Sequence, residues 1–220
     1  MLFTNRADAG SQLAARLSAY ASRSDVIVLA LPRGGVPVAA EVATRLHAPL
    51  DVFLVRKLGA PGQPELAIGA IAAGGAEVLS RELIEELDIP TGVVQQVIAR
   101  ERIELNRRDR AFRGDRPPPV VRGRIVLLVD DGLATGATME AAVIALRRLE
   151  PVRIVVAVPV ASSQACERLR KLADELVCVA VPPLFSAVGQ WYDDFSQTTD
   201  DEVRRLLDAG EAAANPSSFT

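Results

Sequence analysis

The sequence predicts an α/β fold built on a doubly wound parallel sheet, on the basis of two observations. The first is that several short runs consist of consecutive apolar residues. The second is that these runs alternate along the chain with longer segments of helical periodicity. Strands that are apolar throughout are buried on both faces, which is typical of parallel sheets covered by helices. Right-handed crossovers between such strands give a doubly wound sheet. In sheets of this kind the ligand binds beyond the carboxyl ends of the strands, and the site is expected there.

Five apolar runs are predicted as strands, at residues 26–31, 51–55, 125–129, 154–158 and 176–181. Helical segments follow the first, third and fourth of them, at residues 36–46, about 136–149 and 164–172. These elements predict a core at about residues 26–57 and 125–181, within a single domain of residues 1–210. A polar and alanine-rich end at residues 211–220 predicts a disordered tail.

An insertion of about residues 58–124 separates the second and third strands. In its first part, residues 65–80, two apolar runs flank Gly74 and Gly75, which predicts a hairpin. Its second part, residues 91–112, has a helical pattern rich in arginine. The arginines are Arg100, Arg102, Arg107, Arg108 and Arg110, interleaved with Glu101, Glu104 and Asp109. Mixed charges favour a solvated helix over a basic binding face, although the latter stays open.

Composition and charge limit the classes of partner. The 220 residues carry a formal net charge of −3, so nucleic acid is not an expected partner. No apolar run approaches the ~20 residues that span a bilayer, and the first residues lack the apolar core of a signal peptide. We therefore expect a cytoplasmic protein without a membrane partner.

The strongest chemical signal is the segment of residues 126–138. A buried strand ends in two adjacent carboxylates, Asp130 and Asp131, and a turn of small residues leads into a helix. Successive backbone N–H groups in such a turn form an anion site, and Thr135 and Thr138 add hydroxyl donors. The segment predicts a phosphate on the turn and a polyol on the carboxylates. No Gly-Lys-Ser/Thr closes the turn, so it is not a Walker P-loop.

This segment resembles the substrate signature of the type I phosphoribosyltransferases, in which two acidic residues follow apolar ones and precede a Thr/Gly loop. The resemblance implies the type I phosphoribosyltransferase fold and binding of 5-phosphoribosyl-1-pyrophosphate. It assigns the ribose hydroxyls to Asp130 and Asp131, which would also contribute weakly to a metal. The residues implied to bind the sugar phosphate here are Asp130, Asp131, Gly132, Leu133, Ala134, Thr135, Gly136, Ala137 and Thr138.

Two basic segments are expected at the carboxyl ends of the first two strands. In the first, Gly34 and Gly35 allow backbone N–H groups to approach a phosphate, and Arg33 supplies a bidentate cation. In the second, Lys57 follows Arg56 on the same rim. The resemblance assigns Arg33, Gly34, Gly35 and Lys57 to the pyrophosphate. It makes Arg33, Lys57, Asp130 and Asp131 the catalytic residues. Without the resemblance, the Arg33–Gly35 segment could be a plain turn before a helix, and Arg56 and Lys57 could be ordinary surface charges.

An aromatic segment follows the last strand, within a predicted hood of about residues 182–209. It resembles the base-binding hood of the hypoxanthine-guanine phosphoribosyltransferases. The resemblance implies that Phe185, Trp191, Tyr192 and Asp193 bind the acceptor, with Phe185 stacked on its ring. A packing role for these aromatic side chains is the alternative.

One residue departs from the hypoxanthine-guanine pattern. Those enzymes carry an aspartate beside the purine where this chain has Ala134, which favours a base other than hypoxanthine or guanine. Taken over residues 26–195, the chain resembles a bacterial group of phosphoribosyltransferases that pairs a PRGG loop with a WYDDF segment.

The resemblance implies a Mg²⁺-dependent glycosyl transfer in nucleotide metabolism. The enzyme would move phosphoribose to a planar, nucleobase-like nitrogen acceptor and release pyrophosphate, with Mg²⁺ bound mostly through the substrate phosphates. The alternative is a non-catalytic regulatory protein of the same fold that senses phosphoribosyl pyrophosphate. An unrelated phosphate-binding enzyme does not explain the adjacent aspartates. The partners are then small molecules, and a homo-oligomer stays open.

Overall fold

The computed structural model of the chain describes residues 2–214. Its helices are α1 (Arg6–Arg16), α2 (Gly35–Leu46), α3 (Arg81–Glu86), α4 (Thr91–Arg113), α5 (Ala137–Arg147), α6 (Ser163–Leu169) and α7 (Asp200–Ala214). Its strands are β1 (Val26–Ala30), β2 (Leu50–Val52), β3 (Val55–Ala60), β4 (Gln63–Ala72), β5 (Glu77–Leu79), β6 (Ile125–Val129), β7 (Arg153–Val160) and β8 (Glu175–Ala180). Two short 3-10 helices cover Ser18–Tyr20 and Val188–Trp191. No described helix combines the length and the apolarity that crossing a membrane requires.

Five strands form a parallel sheet in the order β2-β1-β6-β7-β8, which confirms the predicted fold class. Alternate side chains of each central strand enter different cores. In β1, Val26 and Val28 belong to a core shared with α1 and α2, whereas Ile27 and Leu29 belong to one shared with α5 and α6. Burial on both faces is the reason that these strands are apolar throughout.

The chain changes its direction of winding between β1 and β6. From β1 it moves outward to β2, and from β6 it moves the opposite way to β7 and β8. Loops that leave neighbouring strands at such a switch point diverge and open a crevice at the carboxyl ends. The loops after β1 and β6 are therefore the first place to look for a site.

The insertion forms a second, antiparallel sheet in the order β3-β4-β5. The predicted hairpin is confirmed as the β4–β5 turn, where Gly74 and Gly75 both have positive φ. The prediction missed β3 and ran the second core strand on to Val55. Phe53 and Leu54, which link β2 to β3, are buried and apolar, so nothing in the sequence marks the break. Lys57 consequently lies in β3 and not at the end of a core strand.

The predicted arginine-rich helix is confirmed as α4, and most of its arginines are paired. Ion pairs join Arg56 and Arg100 to Glu101, Arg102 to Glu77, and Arg107 and Arg108 to Glu104. The α4 arginines of these pairs are about half exposed or more. This arrangement matches the solvated helix that the mixed charges favoured.

The two ends of the chain differ from expectation. Helix α1, which was not predicted, packs against α2, β7 and β8. Of the predicted hood, residues 182–199 lie between β8 and α7, and the remainder belongs to α7, which packs against α2, β2 and α4. Residues 211–214 continue α7 and do not form the expected tail, because alanine favours helix without leaving an apolar pattern. Residues 215–220 lie outside the described residues.

Arg113, near the end of α4, is the one charged residue in the buried part of the described chain. It is 2% exposed, and its guanidinium contacts Asp51 at 2.6 Å, Asp109 at 3.1 Å and the carbonyl oxygen of Val52 at 3.1 Å. Burial raises the pKa of Asp51, and Arg113 opposes that rise. Arg113 thus ties the insertion to the edge of the parallel sheet.

We predict that Arg113→Met lowers the free energy of unfolding by about 3–5 kcal/mol, because it leaves buried carboxylates without their cation. Arg107→Met on the same helix is the control, since Arg107 is exposed and should leave that energy nearly unchanged. Urea denaturation measures both. Equal stability of the two variants would contradict an anchoring role for Arg113.

Candidate functional site

The loops after β1 and β6 touch each other at two glycines. A Cβ atom on Gly34 would collide with the carboxylate of Asp131. A Cβ atom on Gly35 would lie 2.8 Å from the carbonyl oxygen of Val129 and 2.9 Å from the Cα atom of Asp130. The backbone contacts exclude a side chain at Gly35, and a side chain at Gly34 would displace the Asp131 carboxylate. The glycines therefore bring the Arg33 loop, whose Pro32–Arg33 peptide bond is cis, against the carboxylate pair.

The two carboxylates are partly enclosed and interact with each other. Asp130 Oδ1 accepts a hydrogen bond from the Asp131 N–H at 2.9 Å. Burial, together with the neighbouring carboxylate of Asp131, raises the pKa of Asp130 well above its usual range. Burial also raises the pKa of Asp131, although Arg6 favours its ionised form. The pair forms a concentrated set of hydrogen-bond acceptors at the carboxyl end of β6.

Arg6, in the first turn of α1, is a site residue that the sequence interpretation missed. Its Nε and Nη2 atoms lie 2.9 and 2.8 Å from Oδ2 of Asp131. Its Nη1 donates to the carbonyl oxygen of Ser196 at 2.7 Å, and its guanidinium lies 4.0 Å from the ring centroid of Phe195. An arginine in a first turn opposes the helix dipole, so it signals a tertiary partner once the helix is known.

The loop between β6 and α5 presents backbone donors. Within residues 2–214, the N–H groups of Thr135, Gly136 and Thr138 have no hydrogen-bond acceptor. Gly136 is the N-cap residue of α5 and has a φ of 76°. The three N–H groups therefore lie at the N-terminus of α5, which is the positive end of the helix dipole. Free N–H groups at a helix N-terminus form an anion site.

Two residues of the predicted loop, Gly132 and Leu133, pack against neighbouring protein atoms. Leu133 is 2% exposed, and its N–H and C=O groups bond to Val160 and Ser162 beside β7. A Cβ atom on Gly132 would lie 2.6 Å from the side chain of Val188. The expectation that Leu133 binds substrate is therefore corrected, because its side chain packs in the core and its backbone groups are already paired.

Of the predicted cations, Lys57 lines a cleft of about 860 Å³ between the loop after β1, the β3–β4 hairpin and α4, whereas the Arg33 guanidinium contacts Asp200. Lys57, Pro32 and Thr138 all line this cleft, so the insertion meets both loops. No described residue forms an ion pair with Lys57, and Arg33 is held only by Asp200 at 3.4 Å. Arg56 is bound by Glu101 at 2.6 Å. Lys57 is thus without an ion-pair partner among the described residues, and Arg33 has one exposed partner, Asp200.

Tyr192 belongs to the core, and the expectation that it binds the acceptor is corrected. It is 2% exposed, and its ring centroid lies 5.3 Å from that of Phe3 and 5.0 Å from that of Phe195. Its hydroxyl donates to the main-chain oxygen of Asp131 at 2.5 Å. Desolvation raises the pKa of the Tyr192 phenol, so it remains a donor. Its role is to hold the carboxylate loop, not to stack on a ligand.

The other predicted hood residues lie nearer the surface. Phe185 lines a cavity of about 510 Å³ that also includes Ala134 and Thr135. Its ring centroid lies 6.2 Å from that of Trp191, whose buried indole N–H has no acceptor among the described residues. Asp193 is exposed, and its N–H donates to the carbonyl oxygen of Phe3 at 2.9 Å. Phe185 is the aromatic residue that the structure brings to the Thr135 loop.

We predict that Asp130→Asn raises the melting temperature at pH 8. The raised pKa means that ionised Asp130 costs the native state free energy above that pKa. The cost shrinks as the pH falls towards the ordinary pKa of 3.8 and disappears below it, where both states are protonated. The gain should therefore shrink between pH 8 and pH 4 in thermal unfolding.

The control for this prediction is Asp25→Asn. The Arg23 guanidinium lowers the pKa of the exposed Asp25 carboxyl, so its replacement should bring no gain in melting temperature. If Asp130→Asn is less stable than the unmodified chain at every pH, then burial of the ionised Asp130 carboxylate does not cost the native state stability, and the prediction is wrong.

Comparison with known proteins identifies relatives over nearly the whole chain. A family model for the phosphoribosyl transferase domain matches residues 2–195. Two proteins of Mycobacterium tuberculosis, from two strains of that organism, carry phosphoribosyl transferase names and are each 47% identical over 225 residues. These alignments cover 98% of this chain and 51% of each relative, so the chain spans about half the length of the curated relatives it matches.

A solved structure agrees with both the sequence match and the fold. The protein TT1426 from Thermus thermophilus is 47% identical and superposes with a TM-score of 0.86, covering 94% of this chain and 98% of that one. The resemblance that the Asp130–Thr138 segment suggested is confirmed by these matches. The chain belongs to the phosphoribosyl transferase domain family.

Proposed function

We propose that this chain binds 5-phosphoribosyl-1-pyrophosphate between β1 and β6 and transfers its phosphoribosyl group to a nitrogen acceptor. The observation that carries the proposal is the contact between two loops of opposite chemistry. Gly34 and Gly35 of the loop after β1 lie against Asp131 and Asp130, and the Thr135 loop, whose N–H groups have no acceptor among the described residues, follows the two aspartates in the chain. Two anion sites thus flank one set of acceptors for hydroxyl groups.

This order of groups fits the order of groups in the substrate. A 5′-phosphate would accept hydrogen bonds from the N–H groups of Thr135, Gly136 and Thr138. The ribose hydroxyls would donate to Asp130 and Asp131, since ionised carboxylates only accept. The pyrophosphate would then lie against Gly34 and Gly35, within reach of the cations Arg33 and Lys57.

In the proposed reaction, the bond between C1′ and the pyrophosphate oxygen breaks with its electron pair on the leaving group. A bond then forms between C1′ and the acceptor nitrogen, whose proton is lost to solvent or to a base. Because negative charge develops on the departing oxygen, the main catalytic contribution is expected from cations fixed beside it. Arg33 and Lys57 are the residues proposed for this role.

The carboxylate pair fits a magnesium ion that is held together with substrate. Carboxylate oxygens suit Mg²⁺, which takes one or two of them and fills its other positions with water and phosphate oxygens. Among the described residues, no group of three or more potential ligands forms a ready-made metal cage. Asp130 and Asp131 would hold the ion, which when bound would neutralise charge on the pyrophosphate.

The proposed acceptor is a planar, nucleobase-like heterocycle in the cavity that Phe185 lines. An aromatic face provides stacking of ~1–3 kcal/mol per base. The cavity has hydroxyl, amide and guanidinium groups in its lining and no carboxylate, and Ala134 is part of that lining. A base other than hypoxanthine or guanine is therefore proposed. Since these substrates belong to nucleotide metabolism, we propose action in the cytoplasm.

The test is pyrophosphate release from 5-phosphoribosyl-1-pyrophosphate with Mg²⁺, screened against a panel of bases. At least one planar acceptor should stimulate release. The double variant Asp130→Asn, Asp131→Asn should then lose roughly a hundredfold or more in kcat/KM, because it removes both charged acceptors. The control is Asp25→Asn, an exposed carboxylate in the loop before β1, which should retain the full rate.

The same screen separates the alternatives. Tight binding of the activated sugar without release of pyrophosphate for any acceptor would favour a regulatory sensor of the same fold. Full activity in the double variant would contradict the assigned roles of Asp130 and Asp131.

A further inference from the structure

Two carbonyl oxygens of the loop after β6 accept hydrogen bonds from side chains of α6 and of its N-cap residue. Ser162 Oγ donates to the carbonyl oxygen of Ala134 at 2.6 Å. Arg168 Nη2 donates to the carbonyl oxygen of Thr135. The same guanidinium bonds through Nε to Glu140 of α5 at 2.6 Å. Arg168 therefore joins α6, the loop and α5.

These bonds determine the direction of the neighbouring N–H groups. In a planar trans peptide, the C=O of one residue and the N–H of the next point in opposite directions. The bond from Ser162 to Ala134 thus turns the Thr135 N–H away from α6, and the bond from Arg168 turns the Gly136 N–H the same way. Both N–H groups lack an acceptor within residues 2–214. The two side-chain bonds keep the donors on one side of the loop.

Arg168 also neutralises a carboxylate that would oppose an anion. Glu140 lies in the first turn of α5, the helix whose N-terminus carries the loop. Its negative charge would repel a phosphate bound there, and the contact with Arg168 at 2.6 Å compensates it. The two effects of Arg168, on peptide orientation and on charge, act in the same direction.

We propose that Arg168 is a positioning residue that prepares the Thr135–Gly136 turn for a phosphate, assisted by Ser162. This inference rests on the proposed function, in which that turn receives the 5′-phosphate. Arg168 acts on the phosphate through the loop and does not itself need to touch that group; its guanidinium also lines the cavity proposed for the acceptor.

The experiment measures the dissociation constants of ribose 5-phosphate and of pyrophosphate with Mg²⁺ by calorimetry. Ribose 5-phosphate reports on the Thr135 loop, and pyrophosphate reports on the loop after β1. Arg168→Ala should weaken ribose 5-phosphate at least tenfold while changing pyrophosphate less than twofold. Ser162→Ala should act in the same direction with a smaller effect. Arg168→Lys should recover part of the affinity, because an ammonium still donates and compensates Glu140.

Arg147 offers a closely matched control. It also donates to a main-chain oxygen, that of Leu172, at 3.1 Å, and also pairs with a carboxylate, Asp174, at 2.7 Å. Its side chain is 37% exposed, against 46% for Arg168. Arg147→Ala should leave both dissociation constants unchanged. In addition, Glu140→Gln should restore part of the affinity that Arg168→Ala loses, since it removes the uncompensated charge.

The possible results separate this inference from the function on which it rests. If the unmodified chain binds ribose 5-phosphate and Arg168→Ala binds it equally well, the positioning role is overturned and the function stands. Equal weakening of both ligands would also overturn it, by showing a general structural effect. If the unmodified chain fails to bind ribose 5-phosphate, the proposed function and this inference fall together.

Discussion

The contact between two glycines and two carboxylates is the constraint on which the rest of the site depends. Gly34 and Gly35 let the loop after β1 approach Asp130 and Asp131 so closely that a methyl group at either glycine would collide. The switch in winding between β1 and β6 places these loops side by side, and the missing side chains allow them to touch. The two glycines and the two carboxylates thus meet in one crevice.

Both ends of the matched segment contribute to holding Asp131. Arg6 bonds its carboxylate from α1, and the Tyr192 hydroxyl bonds its main-chain oxygen. The backbone of Phe3 pairs with that of Tyr192, so the two supporting segments are also joined to each other. Enclosing adjacent carboxylates raises their pKa values and costs stability. Such a cost is common where a site requires groups that the fold alone would not bury.

The sequence predicted the parallel sheet and the carboxylate loop because each leaves a local pattern. Apolar runs reveal strands that are buried on both faces, and Asp-Asp before a Thr/Gly turn reveals the loop. The break between β2 and β3 left no mark, since Phe53 and Leu54 continue the apolar run across it. Helix α1 was missed because its residues are largely polar or small and form no clear apolar stripe. Asn5 does cap it, since its side-chain oxygen accepts a hydrogen bond from the Asp8 N–H.

Tertiary contacts explain the remaining differences. Tyr192 and Trp191 are adjacent in sequence, and packing against Phe3 and Phe195 buries Tyr192. The bonds of Arg6 to Asp131 and of Arg168 to Thr135 join residues 125 and 33 positions apart. No periodicity or motif in one sequence encodes such pairs, so they require the folded chain.

In the proposed function, the two loops form adjacent subsites for the two ends of one substrate. Competition titrations test it most directly, with ribose 5-phosphate and pyrophosphate added singly and together in the presence of Mg²⁺. If the loops are adjacent subsites, the two fragments should bind simultaneously, and 5-phosphoribosyl-1-pyrophosphate should displace both. Mutual exclusion of the fragments, or displacement of only one of them by the intact sugar, would contradict it.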